Sequence, residues 1–237
     1  MNLADLAWPE LGERRLLVVP LGATEQHGPH LPYTVDTEIA VELCRRLGRV
    51  RPEIVVAPAL PFGSSGEHAG FAGTLSIGQE ATELVLVELV RSADAFAGVL
   101  LVSAHGGNAM PVRRAVRTLR AEGRNVRAWS PDGPAGDTHA GRLETSVMLA
   151  VRPEAVRINR FQAGVTRPLS ELIGRLRGEG VRGVSPNGVL GDPAGASAEA
   201  GRATLDRWTD GLLDAAAALA GDGMIEPSVD ETPVTKR

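Results

Sequence analysis

Cysteine is almost absent from this chain, in which Cys44 is the single example. One cysteine cannot form an intramolecular disulfide, and it excludes any metal site that is built from several thiolates. Cys44 lies on the apolar face of a predicted helix, so we interpret it as a core residue, because a free cysteine packs as a small hydrophobic side chain.

Long hydrophobic runs and an excess of basic charge are also missing. No apolar stretch approaches the roughly 20 residues that span a bilayer, and acidic residues precede the first arginine, which argues against a secretory signal. The net charge of −4 and the pI of about 5.8 disfavour a dedicated nucleic-acid binder, since such proteins usually carry a basic face. We therefore expect a cytoplasmic protein with no membrane and no nucleic-acid partner.

Aromatic residues are scarce at 3%, whereas 28 glycines and 16 prolines are spread through the 237 residues. Along the chain one pattern recurs: a short β-rich run, a glycine-containing loop and a longer amphipathic stretch. Strands are predicted at residues 15–21, 53–59, 99–103 and 125–129, and helices at residues 37–47, 80–97 and 110–122. This alternation predicts an α/β fold with a mostly parallel sheet and helices on both faces.

A single domain is expected over residues 1–221, because no linker, repeat or low-complexity block interrupts the chain between residues 10 and 220. Residues 153–195 are rich in Gly, Arg and Pro, and we interpret them as long loops around a short helix at residues 169–177. The polar residues 222–237 are predicted to form a disordered tail.

The first group of candidate site residues follows the predicted strand at residues 15–21, in the segment GATEQHGPHLPYTVD. Glu25 and His27 are two residues apart, so on an extended segment both side chains point to the same side. Asp36 comes nine residues after His27, beyond a Pro-rich turn, and can fold back on the pair. Two carboxylates and an imidazole are the ligands expected for Zn, Mn or Fe in a hydrolytic site. An E-x-H pair also occurs on solvated loops, and that alternative stays open at this point.

The second group lies at the end of another predicted strand, in VLLVSAHGGN. His105 is followed by two glycines, which let a metal ion and the backbone approach each other closely. Because ligands collect beyond the carboxyl ends of parallel strands, we expect His105 on the same edge as the first group. Asn108 suits the N-cap of the next helix and is also a candidate substrate contact. HGGN is neither G-x-G-x-x-G nor a Walker A sequence, which makes a nucleotide-binding module a poor alternative.

The third group is in GDTHAGRLETSVMLAV, where His139 lies in a loop and Glu144 opens an apolar helical run. An acid in a first helical turn is favoured by the helix dipole, and this is the purely structural alternative for Glu144. His139 has no such structural reason, and a histidine beside a metal site is a natural proton shuttle. His68 follows a strand end and is a candidate substrate contact, whereas we interpret His30 as a loop residue.

The motifs GATEQHGPHLPYTVD, HGGN, HAGRLETS and GVLGDP, in this order and spacing, resemble the creatininase family of metal-dependent amidohydrolases. The resemblance covers roughly residues 12–220. Within the family, GSSGEHAGFAGTLSIG, AGVTRPLSEL and VSPNGVLGDP are most similar to the peptidases of the mycofactocin pathway, which makes a redox cofactor from a ribosomal peptide. The resemblance implies three α/β/α layers around a mostly parallel sheet, and assembly into homo-oligomers.

The resemblance also implies two divalent metal ions per chain, which would be Fe, Zn or Mn. Glu25, His27, Asp36 and His105 match the metal ligands, with Asp36 as the bridging carboxylate, and His139 matches the catalytic histidine. Creatininases carry a further glutamate ligand two residues after the HGGN-type histidine, where this chain has Gly107. Either the second metal ion binds more weakly here, or another acid completes its site, and Glu144 is our candidate for that acid.

The expected activity is hydrolysis of an amide or peptide bond. The substrate implied by the resemblance is the modified precursor peptide, cleaved just before its C-terminal Val-Tyr pair. The loop SPDGPAGDT lacks the tryptophans with which creatininases hold their small ring, and an open, Gly-rich mouth suits a peptide better. A creatinine or formamide hydrolase of the same family and a non-catalytic metal-binding subunit are the remaining alternatives.

Overall fold

The computed structural model of the protein describes residues 1–12 and 15–222. The tail predicted at residues 222–237 lies outside the described residues, except for Asp222, which ends the last helix. None of the described helices is long and apolar enough to cross a membrane.

Four parallel strands form the sheet, in the spatial order β2-β1-β3-β4. The strands are β1 (Leu16–Leu21), β2 (Val55–Val56), β3 (Gly98–Ser103) and β4 (Val126–Trp129). The central pair, β1 and β3, is buried along its whole length. Burial on both faces explains why these two strands are almost continuous runs of Leu and Val rather than alternating sequences.

Helices cover both faces of the sheet. The helices are α1 (Val35–Val50), α2 (Gly78–Arg91), α3 (Ala109–Ala121), α4 (Arg142–Val151), α5 (Leu169–Val184) and α6 (Ala198–Asp222). Val18 and Leu100 point to the face covered by α1, α4 and α6, and Val19 and Leu101 point to the face covered by α2 and α3. The three α/β/α layers predicted from the sequence are therefore confirmed.

Cys44 is confirmed as a core residue, since it is fully buried on α1.

Several predicted elements have different bounds in the structure. The second strand is predicted over residues 53–59 but contains two residues, because Pro58 lacks the N–H that a ladder needs. Its chain continues beside β1 through single hydrogen bonds, from Ala57 N to Val18 O and from Leu60 N to Pro20 O.

Two helices also depart from the prediction. The helix expected over residues 80–97 ends at Arg91, and the one expected over residues 169–177 runs to Val184 with a break at Gly180, whose φ is 68°. No element is predicted for residues 198–221, where α6 covers the sheet. Its Leu205, Trp208 and Leu212 lie in the core.

The strand order places a topological switch point in the middle of the sheet. From β1 the chain passes to β2 on one side and then crosses to β3 on the other. The loops after β1 and β3 therefore leave the same edge in divergent directions. In open α/β sheets a ligand-binding crevice forms at this point.

Candidate metal centre

The loops that follow the two central strands bring together the polar side chains predicted from the sequence. Glu25 and His27 follow β1, and His105 lies two residues beyond the end of β3. Asp36 lies in the first turn of α1 and Glu144 in the first turn of α4. All are buried except Glu144, whose side chain is 17% exposed.

The turn after His27 folds Asp36 back onto the first pair. His27 O accepts a hydrogen bond from Leu31 N, and Glu25 N donates to Tyr33 O. Gly28 makes this turn possible, because its φ of 63° is in the left-handed region and a Cβ there would lie 2.6 Å from Val189 Cγ2.

Asp36 stands between two groups of candidate ligands. Its Oδ2 lies 3.4 Å from His105 Nδ1, and Glu25 Oε2 lies 3.3 Å from His105 Nε2, which defines group A. Its Oδ1 lies 3.3 Å from His27 Nε2, and Glu144 Oε2 lies 3.8 Å from the same nitrogen, which defines group B. One carboxylate thus presents one oxygen to each group.

Several of these buried atoms have no hydrogen-bond partner. They are Glu25 Oε1 and Oε2, His27 Nε2 and Asp36 Oδ2. Burying polar atoms without partners is costly unless they are paired or bind a metal. The 3.3 Å from His27 Nε2 to Asp36 Oδ1 and the 3.4 Å from His105 Nδ1 to Asp36 Oδ2 also match the roughly 3–3.5 Å between two ligands of one ion whose bonds are about 2.1 Å long. The donor set therefore fits divalent cations.

Backbone carbonyls orient the two imidazoles. His27 Nδ1 lies 3.2 Å from the carbonyl oxygen of Glu25, and His105 Nε2 lies 2.9 Å from that of Ser64. A carbonyl can only accept, so each of these nitrogens carries a hydrogen. His27 Nε2 and His105 Nδ1 are left as lone pairs that face Asp36, which is how histidine ligands of metals are commonly oriented.

In the metal-free protein the site balances its own charges. Burial by itself would lower the pKa of both imidazoles, but nearby carboxylates outweigh it. Asp36 and Glu144 raise the pKa of His27 to about 9, and Glu25 and Asp36 raise that of His105 to about 10. Burial and Asp36 raise the pKa of Glu144 to about 7, against the pull of His27. Protons therefore occupy the positions that cations would take.

His139 and His68 lie beside Glu25, and the ring of His139 also packs on that of His27, with 4.2 Å between the ring centroids. Nδ1 of His139 is 3.7 Å and Nε2 of His68 is 3.4 Å from Glu25 Oε1. Burial lowers the pKa of His68 to about 4 and that of His139 well below its ordinary value, so both rings are neutral near pH 7. A neutral imidazole adds no charge to the site and offers one nitrogen as a hydrogen-bond donor and the other as an acceptor.

His30 and Asn108 form buried hydrogen bonds that hold together the segments around the site. His30 is fully buried, and its Nε2 lies 2.9 Å from Thr145 Oγ1. Asn108 stands at the N-cap position of α3, but its side chain does not cap that helix. Its Oδ1 accepts from Ser64 N and its Nδ2 donates to Gly22 O, so the amide joins the loops after β1 and β2.

Glu67, which was not among the predicted site residues, occupies the space next to Gly107. A Cβ at Gly107 would lie 2.4 Å from Glu67 Oε1 and 2.1 Å from Ser64 O. Glu67 Oε1 is itself 3.9 Å from His105 Nε2. A fourth carboxylate thus reaches group A where a side chain at position 107 would stand. Its signals in the sequence are its place next to His68 and its place in the segment GSSGEHAGFAGTLSIG.

A cleft of about 200 Å³ leads to the two groups. The loop after β4 lines it, together with His139, Glu144 and Trp208 from α6. Trp208 donates its indole N–H to Asp132 of that loop. The sequence does not predict that Trp208 lines the cleft, because only the packing of α6 brings it there.

Comparisons with known proteins agree with this geometry. A family model, Creatininase, described as creatinine amidohydrolase, matches residues 4–216. A relative from Mycobacterium ulcerans (strain Agy99), named mycofactocin precursor peptide peptidase, is 47% identical over 230 residues, which cover 87% of this chain and 89% of the relative.

Solved structures of creatininases have the same fold. One described as "Creatininase Mn" has a TM-score of 0.74 at 26% identity, and covers 92% of this chain and 97% of its own. A mutant creatininase of "Zn-Zn type" has a TM-score of 0.75 at the same identity and coverage. Since the family model spans most of the chain and the relative from Mycobacterium ulcerans is nearly half identical, the chain belongs to the creatininase family.

Proposed function

We propose that this protein is a metal-dependent peptidase that hydrolyses a C–N bond of a mycofactocin-type precursor peptide. The observation that carries the proposal is the placement of Asp36, whose two oxygens face two separate groups of buried ligands. A carboxylate in this position suits a bridge between two ions. Glu25 and His105 would complete one site, and His27 and Glu144 the other.

The proposed chemistry divides the work between ions and side chains. Two divalent ions, when bound, supply an ionised water and a Lewis acid for the scissile carbonyl. His139 accepts a proton from the nucleophile and returns it to the departing amine, which a neutral imidazole at the edge of the site can do. Zinc and manganese are the metals named for the similar creatininases, and iron fits the same N/O donors.

A peptide substrate is supported by the cleft and by the relatives. Residues 131–138 line the cleft with Pro, Asp, Gly and Thr and contain no aromatic side chain. The relative from Mycobacterium ulcerans is named for a precursor peptide. The expected cleavage lies just before the modified C-terminal Val-Tyr pair. His68 would contact this substrate, whereas Asn108 would act by holding loops, since its amide already bonds to two backbone groups.

A creatinine hydrolase is the second candidate, favoured by the family description and by Trp208, an indole that lines the cleft. The test is to load the protein with Zn, Mn or Fe and to incubate each form with the modified precursor peptide, with creatinine and with a formylaminopyrimidine. Release of the C-terminal dipeptide, followed by mass spectrometry, is the expected result. Turnover of creatinine or of the formyl compound alone would contradict the peptidase.

Metal content measured on the same samples separates a hydrolase from a binding subunit. Two equivalents of metal with turnover of one substrate is expected, and two equivalents without any turnover would favour a non-catalytic subunit. Assembly into homo-oligomers and a cytoplasmic location remain predictions.

A further inference from the structure

Gln26 is a buried amide between two candidate ligands, and the proposed mechanism gives it no role. The orientation of the amide is fixed, because its Oε1 accepts a hydrogen bond of 2.8 Å from Gly28 N. Its Nε2 is therefore the end that reaches the neighbouring histidines.

The main chain of Gln26 decides where His139 carries its hydrogen. His139 Nε2 lies 2.8 Å from the carbonyl oxygen of Gln26. A carbonyl can only accept, so Nε2 of the neutral ring holds the hydrogen and Nδ1 is a bare lone pair. Nδ1 is the nitrogen that lies 3.7 Å from Glu25 Oε1, at the edge of the candidate metal centre.

The side chain of Gln26 determines which ring nitrogen of His68 carries the hydrogen. Nε2 of Gln26 has two hydrogens and three neighbours: Gly188 O at 3.0 Å, His68 Nδ1 at 2.9 Å and His139 Nε2 at 3.1 Å. His139 Nε2 already carries a hydrogen and cannot accept another. The two hydrogens therefore go to Gly188 O and His68 Nδ1.

His68 consequently holds its own hydrogen on Nε2. That nitrogen lies 3.4 Å from Glu25 Oε1, so its N–H stands at the edge of the candidate metal centre, where a substrate atom can accept from it. The backbone at Gly188 maintains the arrangement, since its φ is +79° and a Cβ there would lie 2.0 Å from Gln26 Oε1.

We propose that Gln26 is a positioning residue that sets His139 and His68 in the same tautomer, with the hydrogen on Nε2, while the two rings turn opposite nitrogens toward Glu25 Oε1. His139 presents an acceptor, Nδ1, and His68 presents a donor, Nε2–H. The two rings lie 4.5 Å apart between centroids, so both nitrogens reach one bound amide. The roles of acid and base rest on the proposed function, whereas the tautomers rest on the hydrogen bonds alone.

In the proposed hydrolysis, His139 carries one proton from the attacking water to the departing amine. Water forms a bond from its oxygen to the carbonyl carbon, and its proton passes to Nδ1 of His139. The carbonyl oxygen takes up the electron pair and accepts a hydrogen bond from Nε2–H of His68, without proton transfer. When the C–N bond breaks, the amine leaves with the proton from Nδ1 of His139, which restores the starting tautomer.

The direct test is the nitrogen-15 spectrum of the histidine rings in the intact, zinc-loaded protein. The chain has five histidines, and a His68→Gln and a His139→Gln variant assign the two relevant rings. We expect hydrogen on Nε2 and a bare Nδ1 in both rings. A hydrogen on Nδ1 of either ring would overturn the proposal, and this result needs no variant of Gln26.

The variant Gln26→Glu replaces the donor amide by an acceptor and keeps the backbone carbonyl. We expect His68 to gain a hydrogen on Nδ1 while His139 stays unchanged. The kcat should fall by roughly 10²-fold or more, as for loss of an oriented donor to a developing oxyanion, with KM changed by less than about threefold. Gln162→Glu makes the same chemical change at an exposed position and should change neither spectrum nor rate.

If Gln26 only anchors the loop through Gly28 and Gly188, Gln26→Glu would lower the melting temperature without moving the proton on His68. That outcome would overturn the proposal. The spectra are independent of any substrate, so the expected tautomers in a protein that fails to cleave the precursor peptide would count against the proposed function and not against the role of Gln26.

Discussion

The two ligand groups share Asp36 but differ in how the fold holds them. Group A takes Glu25 and His105 from the loops after β1 and β3, and both side chains are almost completely buried. Group B takes Glu144 from α4, and this carboxylate is partly exposed to the cleft. Its Oε2 also accepts a hydrogen bond of 2.6 Å from Ala140 N. Group A is thus part of the sheet edge, whereas group B depends on how a helix packs.

The difference indicates unequal binding. A buried, pre-formed set of ligands loses little freedom when an ion binds, while a carboxylate at a helix end can move with its helix. We therefore expect group A to bind its ion more tightly and group B to exchange its ion more easily. The cleft is lined by His105 of group A as well as by Glu144 of group B, so both groups face the entering substrate.

Removal of the shared residue, Asp36, should abolish metal binding in both groups. Asp36→Ala deletes the carboxylate that faces both groups, so both ions and all activity should be lost. Elemental analysis of the purified variant tests this, with Asp210→Ala, at an exposed position of α6, as the control. Retention of two equivalents of metal in the variant would show that the ligands have been assigned wrongly.

Removal of His139, which lies outside both groups, should leave the metal content unchanged and lower the catalytic rate. For His139→Ala we expect metal content near that of the unmodified protein and a kcat lower by roughly 10²–10⁴-fold, the usual size of an acid–base contribution. Glu25, His27 and His139 could together hold an ion as well, since their donor atoms lie within 4.8 Å of one another. Loss of an equivalent of metal in the variant would favour that grouping.

A change at Glu144 should separate group B from group A. Glu144→Gln keeps the size but removes the charge, so the metal content should fall from two toward one per chain, with partial activity at high added metal. If Glu144 only favours the start of its helix, the change should cost about 0.3–1 kcal/mol of stability and leave the metal content unchanged. Glu80→Gln, in the exposed first turn of α2, measures that helix contribution alone.

The smallest effect is expected from pH, which acts on both groups through protons. The pKa values of His27 and His105 are raised from 6.5 to about 9 and about 10 in the metal-free protein. Their stabilisation is complete below pH 6.5 and is lost as the pH rises through 9–10. Metal ions replace these protons, so the difference in melting temperature between zinc-loaded and metal-free protein should increase with pH. A constant difference from pH 6 to pH 9 would contradict the proton–metal competition.

The sequence predicts the central part of the fold better than its periphery. β1 and β3 are recognised almost to the residue, because a strand that is buried on both faces must be a continuous apolar run. β2 is overestimated, since pairing with β1 is interrupted at Pro58. The helix α6 is missed, although its buried Leu205 and Leu212 cover one face of the sheet.

By itself, the sequence determines the chemical types at the site and the elements that carry them. Glu25, His27, Asp36 and His105 follow from strand ends and spacing, because parallel strands deliver their loops to one edge. Only the tertiary structure decides which atoms meet. That Asp36 faces two groups, that Glu67 fills the space above Gly107 and that Gln26 orients two histidines depend on contacts between loops distant in sequence. Residue order cannot specify such contacts, since they form only when the helices pack on the sheet.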